Sequence, residues 1–220
     1  MTLVPTSPSS GARMGSGAWQ TSPGAASCSR IGGHTVTQVA EVLRDWLSDS
    51  FAEAVLRDAT RYTLTSLPTT LIDEREPQAL VRALVYRLGA KGAASVLREA
   101  GVRTSRHLLA HGIPQLLQVA TRIAPRPLAL RMLLDRMVAN AWNFAGSGQF
   151  SVSATSGVPE LLFEHCAMCR DMHASQPMCD FYAGALEHVF RQLIAPGARV
   201  REVECMAHGG EACRFRLTGV

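Results

Sequence analysis

Cys179, Cys205 and Cys213 fall within one short stretch, Gln176–Leu217, with Cys205 and Cys213 on either side of Gly209-Gly210. In a hairpin centred on Gly209, residues whose numbers average to 209 face each other, and Cys205 and Cys213 satisfy that condition. Directly opposed strand residues hold their Cβ atoms about 4.5–5.5 Å apart, near enough for two sulfurs to share one tetrahedral ion. Zinc takes thiolate, imidazole or carboxylate ligands, usually four in a structural site. Cys179, close to the start of a helix whose dipole favours a thiolate, supplies a third ligand. Glu202 or Glu204 supplies the fourth. Strict alternation puts Cys205 on the face of Val203 and both glutamates on the other, so Glu202 reaches the sulfurs only through a bulge or a late strand start. Spacing alone does not choose between the glutamates, and buried free cysteines or a Cys205–Cys213 disulfide compete with the metal.

A second cluster, His165-Cys166-Ala167-Met168-Cys169 followed by His173, also has ligand-like spacing. A Cys-x-x-Cys pair binds metal or cycles as a dithiol. Here there is no second Cys-x-x-Cys, and Arg170 stands where a covalent haem motif needs His. The expectation is therefore a pair of surface thiols on a loop. Cys28, in the N-terminal tail, is read as incidental.

The elements that must position these groups emerge from periodicity. Residues 1–33 are rich in Ser, Gly, Ala, Thr and Pro, contain no acidic residue, and read as a disordered tail. Residues 34–146 read as a helical region. Val36, Val39, Ala40, Leu43 and Leu47 recur at helical spacing, and Phe51, Ala54, Val55, Tyr62 and Leu67 do so after the capping cluster Ser48-Asp49-Ser50. Leu80, Val81, Leu84, Val85 and Leu88 form a further stripe. Gly89, Gly92 and Gly101 punctuate the next segment, their small size favouring close helix packing. Helices are expected over Pro114–Ile123 and Leu128–Phe144, the second with an apolar arc wide enough to be buried or to face a cavity. Residues 147–220 read as strands enclosing one helix, from an N-cap at Ser175 to about Ile194, and the order indicates an α+β fold with an antiparallel sheet.

The chain has 220 residues, 47% of them hydrophobic, enough for a well-buried core. Its net charge of +4 is carried by scattered arginines and never forms a block, so no nucleic-acid footprint appears. No run reaches the length of a membrane span, and the N-terminus lacks a secretory layout. Reduced thiols in a cytoplasmic compartment fit the composition, with peripheral membrane contact left open.

Cys179-x-Phe181-x-Ala183-Gly184, Arg201-Glu202-Val203-Glu204-Cys205-x-Ala207-x-Gly209 and Cys213-Arg214-Phe215 together resemble the vinyl-4-reductase domain family. The preceding helical half is similar in layout to the bacteriochlorophyll-synthesis branch of that family. The resemblance implies an α+β fold shared with the sensory domains of phenol-responsive activators and with vesicle-tethering subunits, commonly dimeric. It implies a structural zinc on Cys179, Glu202, Cys205 and Cys213, which selects Glu202 and leaves Cys166 and Cys169 outside the pattern. The family name implies reduction of a vinyl group on a chlorophyll precursor. The sequence carries no Gly-x-Gly-x-x-Gly after a strand and no flavin or iron–sulfur layout, and a closed four-ligand zinc does no redox work. The expectation is a tetrapyrrole-binding carrier or assembly factor for bacteriochlorophyll biosynthesis, serving the chlorophyll-biosynthesis enzymes. Its ligand would be a magnesium porphyrin held between the helical half and the sheet. Met132, Met137, Trp142 and Phe144 are the candidate pocket residues, and His107, His111 or His188 the candidate axial ligand. A vinyl reductase using an external reductant, and a sensory module needing a separate effector, are the alternatives.

Overall fold

The computed structural model describes residues 30–220, so Cys28 and the tail through residue 29 lie outside the described residues. The last residues of the expected tail form a strand, β1 (Arg30–Gly32), paired antiparallel with β2 (Leu71–Asp73). Three residues are too short a run to display strand alternation.

Between these strands, α1 (His34–Trp46) buries Val36, Val39, Ala40, Val42 and Leu43. Ser48 caps α2 (Asp49–Ala59), its Oγ accepting from the Phe51 N–H at 3.1 Å. Apolar spacing predicts that this helix continues through Tyr62 and Leu67, but it stops at Ala59. Thr60 leaves helical space (φ −140°, ψ 173°) and turns its hydroxyl back onto the Leu56 carbonyl at 3.0 Å.

Next comes α3 (Arg75–His107), which bends at Gly89, where φ is 69° and ψ 171°. It runs into a π turn (Leu108–Gly112), then α4 (Gln115–Ile123), α5 (Arg126–Ala139) and the short α6 (Trp142–Ala145). The single helix expected over Leu128–Phe144 is thus two. Asn140 departs from helical geometry (φ −115°, ψ 17°) and its Nδ2 donates to the Arg136 carbonyl at 2.8 Å, closing α5.

The sheet consists of β3 (Gln149–Thr155), β4 (Val158–Glu164), β5 (Arg199–Glu204) and β6 (Cys213–Thr218), in the order β3-β4-β6-β5 with every pair antiparallel. Between β4 and β5 in sequence lies α7 (Asp180–Leu193), which packs on β5 and more extensively on α3. It starts later than a Ser175 cap implies, because Cys179 is the N-cap and its N–H is taken by Glu202 Oε2 at 2.9 Å. One continuous core runs from α1 to β6, and the fold is α+β.

The α3–α7 crossing depends on two glycines. A Cβ on Gly101 would lie 2.1 Å from the Phe181 carbonyl oxygen, and one on Gly184 would lie 2.2 Å from that of Arg98. Both obstacles are backbone, so the helices would have to separate. Gly184→Ala is expected to destabilise the fold by about 3 kcal/mol, the upper end of ordinary overpacking. Urea unfolding checks this, and an unchanged midpoint would contradict the close crossing.

Candidate functional site

The hairpin of β5 and β6 is irregular where the chemistry requires it. Glu202 pairs with Phe215 and Glu204 with Arg214, so Val203 is an extra residue, bulged outward and 40% exposed. The bulge resets the alternation, and Glu202 now points to the same side as Cys205. Glu204 does not compete. Its carboxylate accepts from Arg214 Nε at 3.0 Å and from the Glu211 N–H at 2.9 Å. Beyond Cys205 the chain makes a 3-10 turn (Met206–His208) that ends at Gly209, whose φ of 88° suits glycine. The Cys205 carbonyl accepts from the His208 N–H at 3.0 Å and the Gly210 N–H at 2.9 Å, while the Met206 N–H donates to Cys213 Sγ at 3.5 Å.

The structure brings Cys179, Cys205 and Cys213 together. Cys179 Sγ stands 3.6 Å from Cys213 Sγ, which stands 3.9 Å from Cys205 Sγ. Two thiolates on one tetrahedral zinc at about 2.3 Å would be about 3.8 Å apart. Glu202 closes this four-residue group, with all its ligand atoms within 4.8 Å of one another. Glu202 Oε1 is buried and has no hydrogen-bond partner among the described residues. Burial first, then the neighbouring Cys205 sulfur, pushes the Glu202 carboxyl up to about 9. A buried carboxylate oxygen aimed at thiols with no donor suits a cation, and the donor set fits zinc.

The expectation of surface thiols at Cys166 and Cys169 is overturned. Both are buried, and they form a second four-residue group with Cys179 and Cys213. Cys169 Sγ lies 3.3 Å from Cys213 Sγ and 3.9 Å from Cys205 Sγ, and Cys166 Sγ lies 3.7 Å from Cys179 Sγ. The reason is a long-range anchor. Arg170 ion-pairs with buried Glu74 at the N-terminus of α3 and donates to Ser147 Oγ at 2.8 Å, and Gln78 Nε2 donates to the Arg170 carbonyl. Glu74 also accepts from Ser147 N–H and Oγ, at 2.8 and 2.7 Å. This anchor pulls the Cys166–Cys169 turn inward, with the Cys166 carbonyl accepting from the Arg170 N–H at 3.0 Å. Within the cluster, hydrogen bonds from Cys166 and the other thiols lower the Cys169 thiol, while the Cys179 thiol is raised by its neighbours and by burial. Negative charge on one sulfur disfavours it on the others unless a cation enters.

Behind the cysteines lies an aromatic wall. Phe163 and Tyr182 stack at 4.4 Å, with Phe150 and Phe215 against Phe163. Tyr182 OH donates to the Phe144 carbonyl at 2.7 Å and so ties α6 to α7. The other side of the wall lines a cavity of about 220 Å³ between α4, α5 and α7, where Met137, Phe144, Leu133 and Leu186 supply apolar surface and Arg136, Asn140 and Asn143 polar groups. Thr104 also lines it, with its Oγ1 buried and without a partner among the described residues.

Of the candidate pocket residues, Met137 and Phe144 line this cavity. Trp142 is half exposed and turns away from the cavity, since α6 presents Phe144 inward. His107 and His111 also lie outside it. His107 ends α3 and His111 lies in the π turn, both at the surface, where their rings stand 4.7 Å apart, with His34 4.5 Å from His107. His188 is likewise outside, its Nδ1 engaged with Ser105 Oγ at 2.7 Å.

Residues 160–218 match the V4R domain family, the group to which the cysteine motif pointed. The chain carries a V4R domain. All of β6 and α7, the hairpin glutamates and all five described cysteines fall within it. Outside the V4R domain the likeness continues. The chain is 39% identical over 127 residues to the Bacteriochlorophyll synthase 23 kDa chain of Cereibacter sphaeroides, covering 57% of this chain and 60% of that one. It is 33% identical over 57 residues to the uncharacterized protein MJ0745 of Methanocaldococcus jannaschii, 26% of this chain and 32% of that one. The matches thus span less than two thirds of either relative. Among solved structures, the H-NOX protein from K. algicida superposes with a TM-score of 0.57 at 12% identity, covering 86% of this chain and 96% of that one. An H-NOX protein from S. oneidensis gives 0.54 at 12% identity over 86% and 98%. The fold therefore extends through the helical layer as well as the V4R domain.

No helix of the described residues is long and apolar enough to cross a membrane.

Proposed function

We propose that the protein binds a tetrapyrrole intermediate of bacteriochlorophyll biosynthesis and passes it between the enzymes of that route. The cavity carries this reading: an apolar chamber backed by stacked Phe163 and Tyr182, with the exposed Arg136 among its lining residues. The likeness to the Bacteriochlorophyll synthase 23 kDa chain supplies the pathway. A flat conjugated ring suits an aromatic wall, and the carboxylate substituents of a tetrapyrrole suit an arginine. At about 220 Å³ the cavity is below the roughly 300–1,000 Å³ of ordinary ligand sites, so a macrocycle enters by swinging out α4 and α5, which pack mainly on each other. A central magnesium would take its axial ligand from solvent or from the accepting enzyme, since His107, His111 and His188 lie outside the chamber. In this reading a zinc ion on Cys179, Glu202, Cys205 and Cys213 is structural, fixing the hairpin to the start of α7 and with it the aromatic wall.

Titration of Mg-protoporphyrin monomethyl ester and protochlorophyllide into the protein tests the proposal, with a saturable Soret shift expected. Absence of any shift with both ligands would refute it. Turnover of a divinyl substrate with NADPH or reduced ferredoxin would favour the reductase reading instead. Arg136→Ala is expected to weaken binding of the monomethyl ester about fivefold, or ~1 kcal/mol, and to leave binding of the dimethyl ester unchanged. An equal loss for both esters would remove Arg136 from carboxylate recognition.

A further inference from the structure

We propose that the cysteine centre holds two divalent ions, bridged by the thiolates of Cys179 and Cys213. Cys166 and Cys169 complete one coordination sphere, and Glu202 and Cys205 complete the other. The inference rests on the zinc reading of Cys179, Glu202, Cys205 and Cys213 and extends it to the two cysteines that the family pattern leaves unused. Two four-coordinate ions that share an edge need six donors, two of them common to both. Six donors converge here, in two four-residue groups whose common members are Cys179 and Cys213. The shared edge measures 3.6 Å and the flanking Cys166–Cys179 and Cys205–Cys213 pairs 3.7 and 3.9 Å, all close to the roughly 3.8 Å expected of sulfurs on one ion. A thiolate has lone pairs enough to bridge. The carboxylate belongs to only one of the two groups, as a terminal ligand should.

Donor use points the same way. Five cysteines and Glu202 converge in a buried space, and the adjacent Arg170 is committed to Glu74 and Ser147. One divalent ion on four ionised donors and two ions on all six leave the same net charge, but one ion strands two cysteines as buried thiols, whereas a second ion uses every donor. A single ion held by Cys169, Cys179, Cys205 and Cys213 is the competing arrangement, since Cys169 Sγ is also 3.9 Å from Cys205 Sγ. That arrangement strands Cys166 and leaves the buried Glu202 Oε1 without a partner.

Elemental analysis and native mass spectrometry of the full chain, purified under reducing conditions, decide the matter. Two zinc ions per chain are expected, falling to one in the Cys166→Ser/Cys169→Ser double variant. One ion in the wild type overturns the two-ion centre and leaves the single zinc site standing; no ion overturns both. Should the double variant fail to fold, the cadmium-substituted wild type gives an independent answer. Two cadmium resonances are expected, the all-sulfur site downfield of the site with a carboxylate, coupled through the bridging sulfurs. A single resonance contradicts the proposal.

Discussion

Chelation of the proposed metal at neutral pH is expected to lower the melting temperature by about 8–16 °C. The figure comes from linkage. An ion present at a thousandfold excess over its dissociation constant contributes about 4 kcal/mol, and for a chain of this size each kcal/mol moves the midpoint by about 2–4 °C. Without the ion the centre becomes a liability, because five buried thiols and a carboxyl driven up to about 9 must be kept neutral at the junction of β5, β6, α7 and the Cys166–Cys169 turn. Cys213→Ser should cost at least as much as chelation, because Cys213 belongs to both four-residue groups. Thermal melts monitored by circular dichroism, with and without chelator, check both. A melting temperature indifferent to chelator would mean that the cysteines are ordinary core residues.

Ala185→Trp should abolish tetrapyrrole binding and leave the metal content intact. Ala185 lies on the face of α7 that lines the cavity, beside Phe181, Tyr182 and Val189. An indole projecting from that position occupies the space a macrocycle needs, and at least a hundredfold loss of affinity, ~2.7 kcal/mol, is expected. The cysteines lie across the aromatic wall, so metal stoichiometry should not change. Soret titration and elemental analysis of the same sample separate the two effects. Undiminished binding would place the ligand elsewhere.

The hairpin register is legible in the sequence because two-residue periodicity and a glycine at its centre constrain it strongly. The spacing of Cys205, Gly209 and Cys213 suffices, and either a bulge or a late strand start is required once the family resemblance selects Glu202; the structure has the bulge, at Val203. Of the glycines expected to allow close packing, Gly101 does so, where a side chain would strike the Phe181 backbone, while Gly89 faces open space; Gly184, its counterpart across the crossing, lies outside that expectation. The inward position of Cys166 and Cys169 is not legible. It depends on Arg170 meeting Glu74, an ion pair between residues 96 apart, and nothing near the Cys-x-x-Cys marks that partner. Trp142 and the histidines mislead for a related reason. Composition says which side chains suit a large planar ligand, but the break at Asn140 and the π turn at Leu108–Gly112 decide which of them point inward.

Hydrogen exchange of the full chain with and without Mg-protoporphyrin monomethyl ester tests the central claim most directly, because it reports where the ligand binds as well as whether it does. Protection is expected over residues 108–117, 133–144 and 181–189, which surround the cavity. Protection confined to other segments, or none at all, would contradict the account.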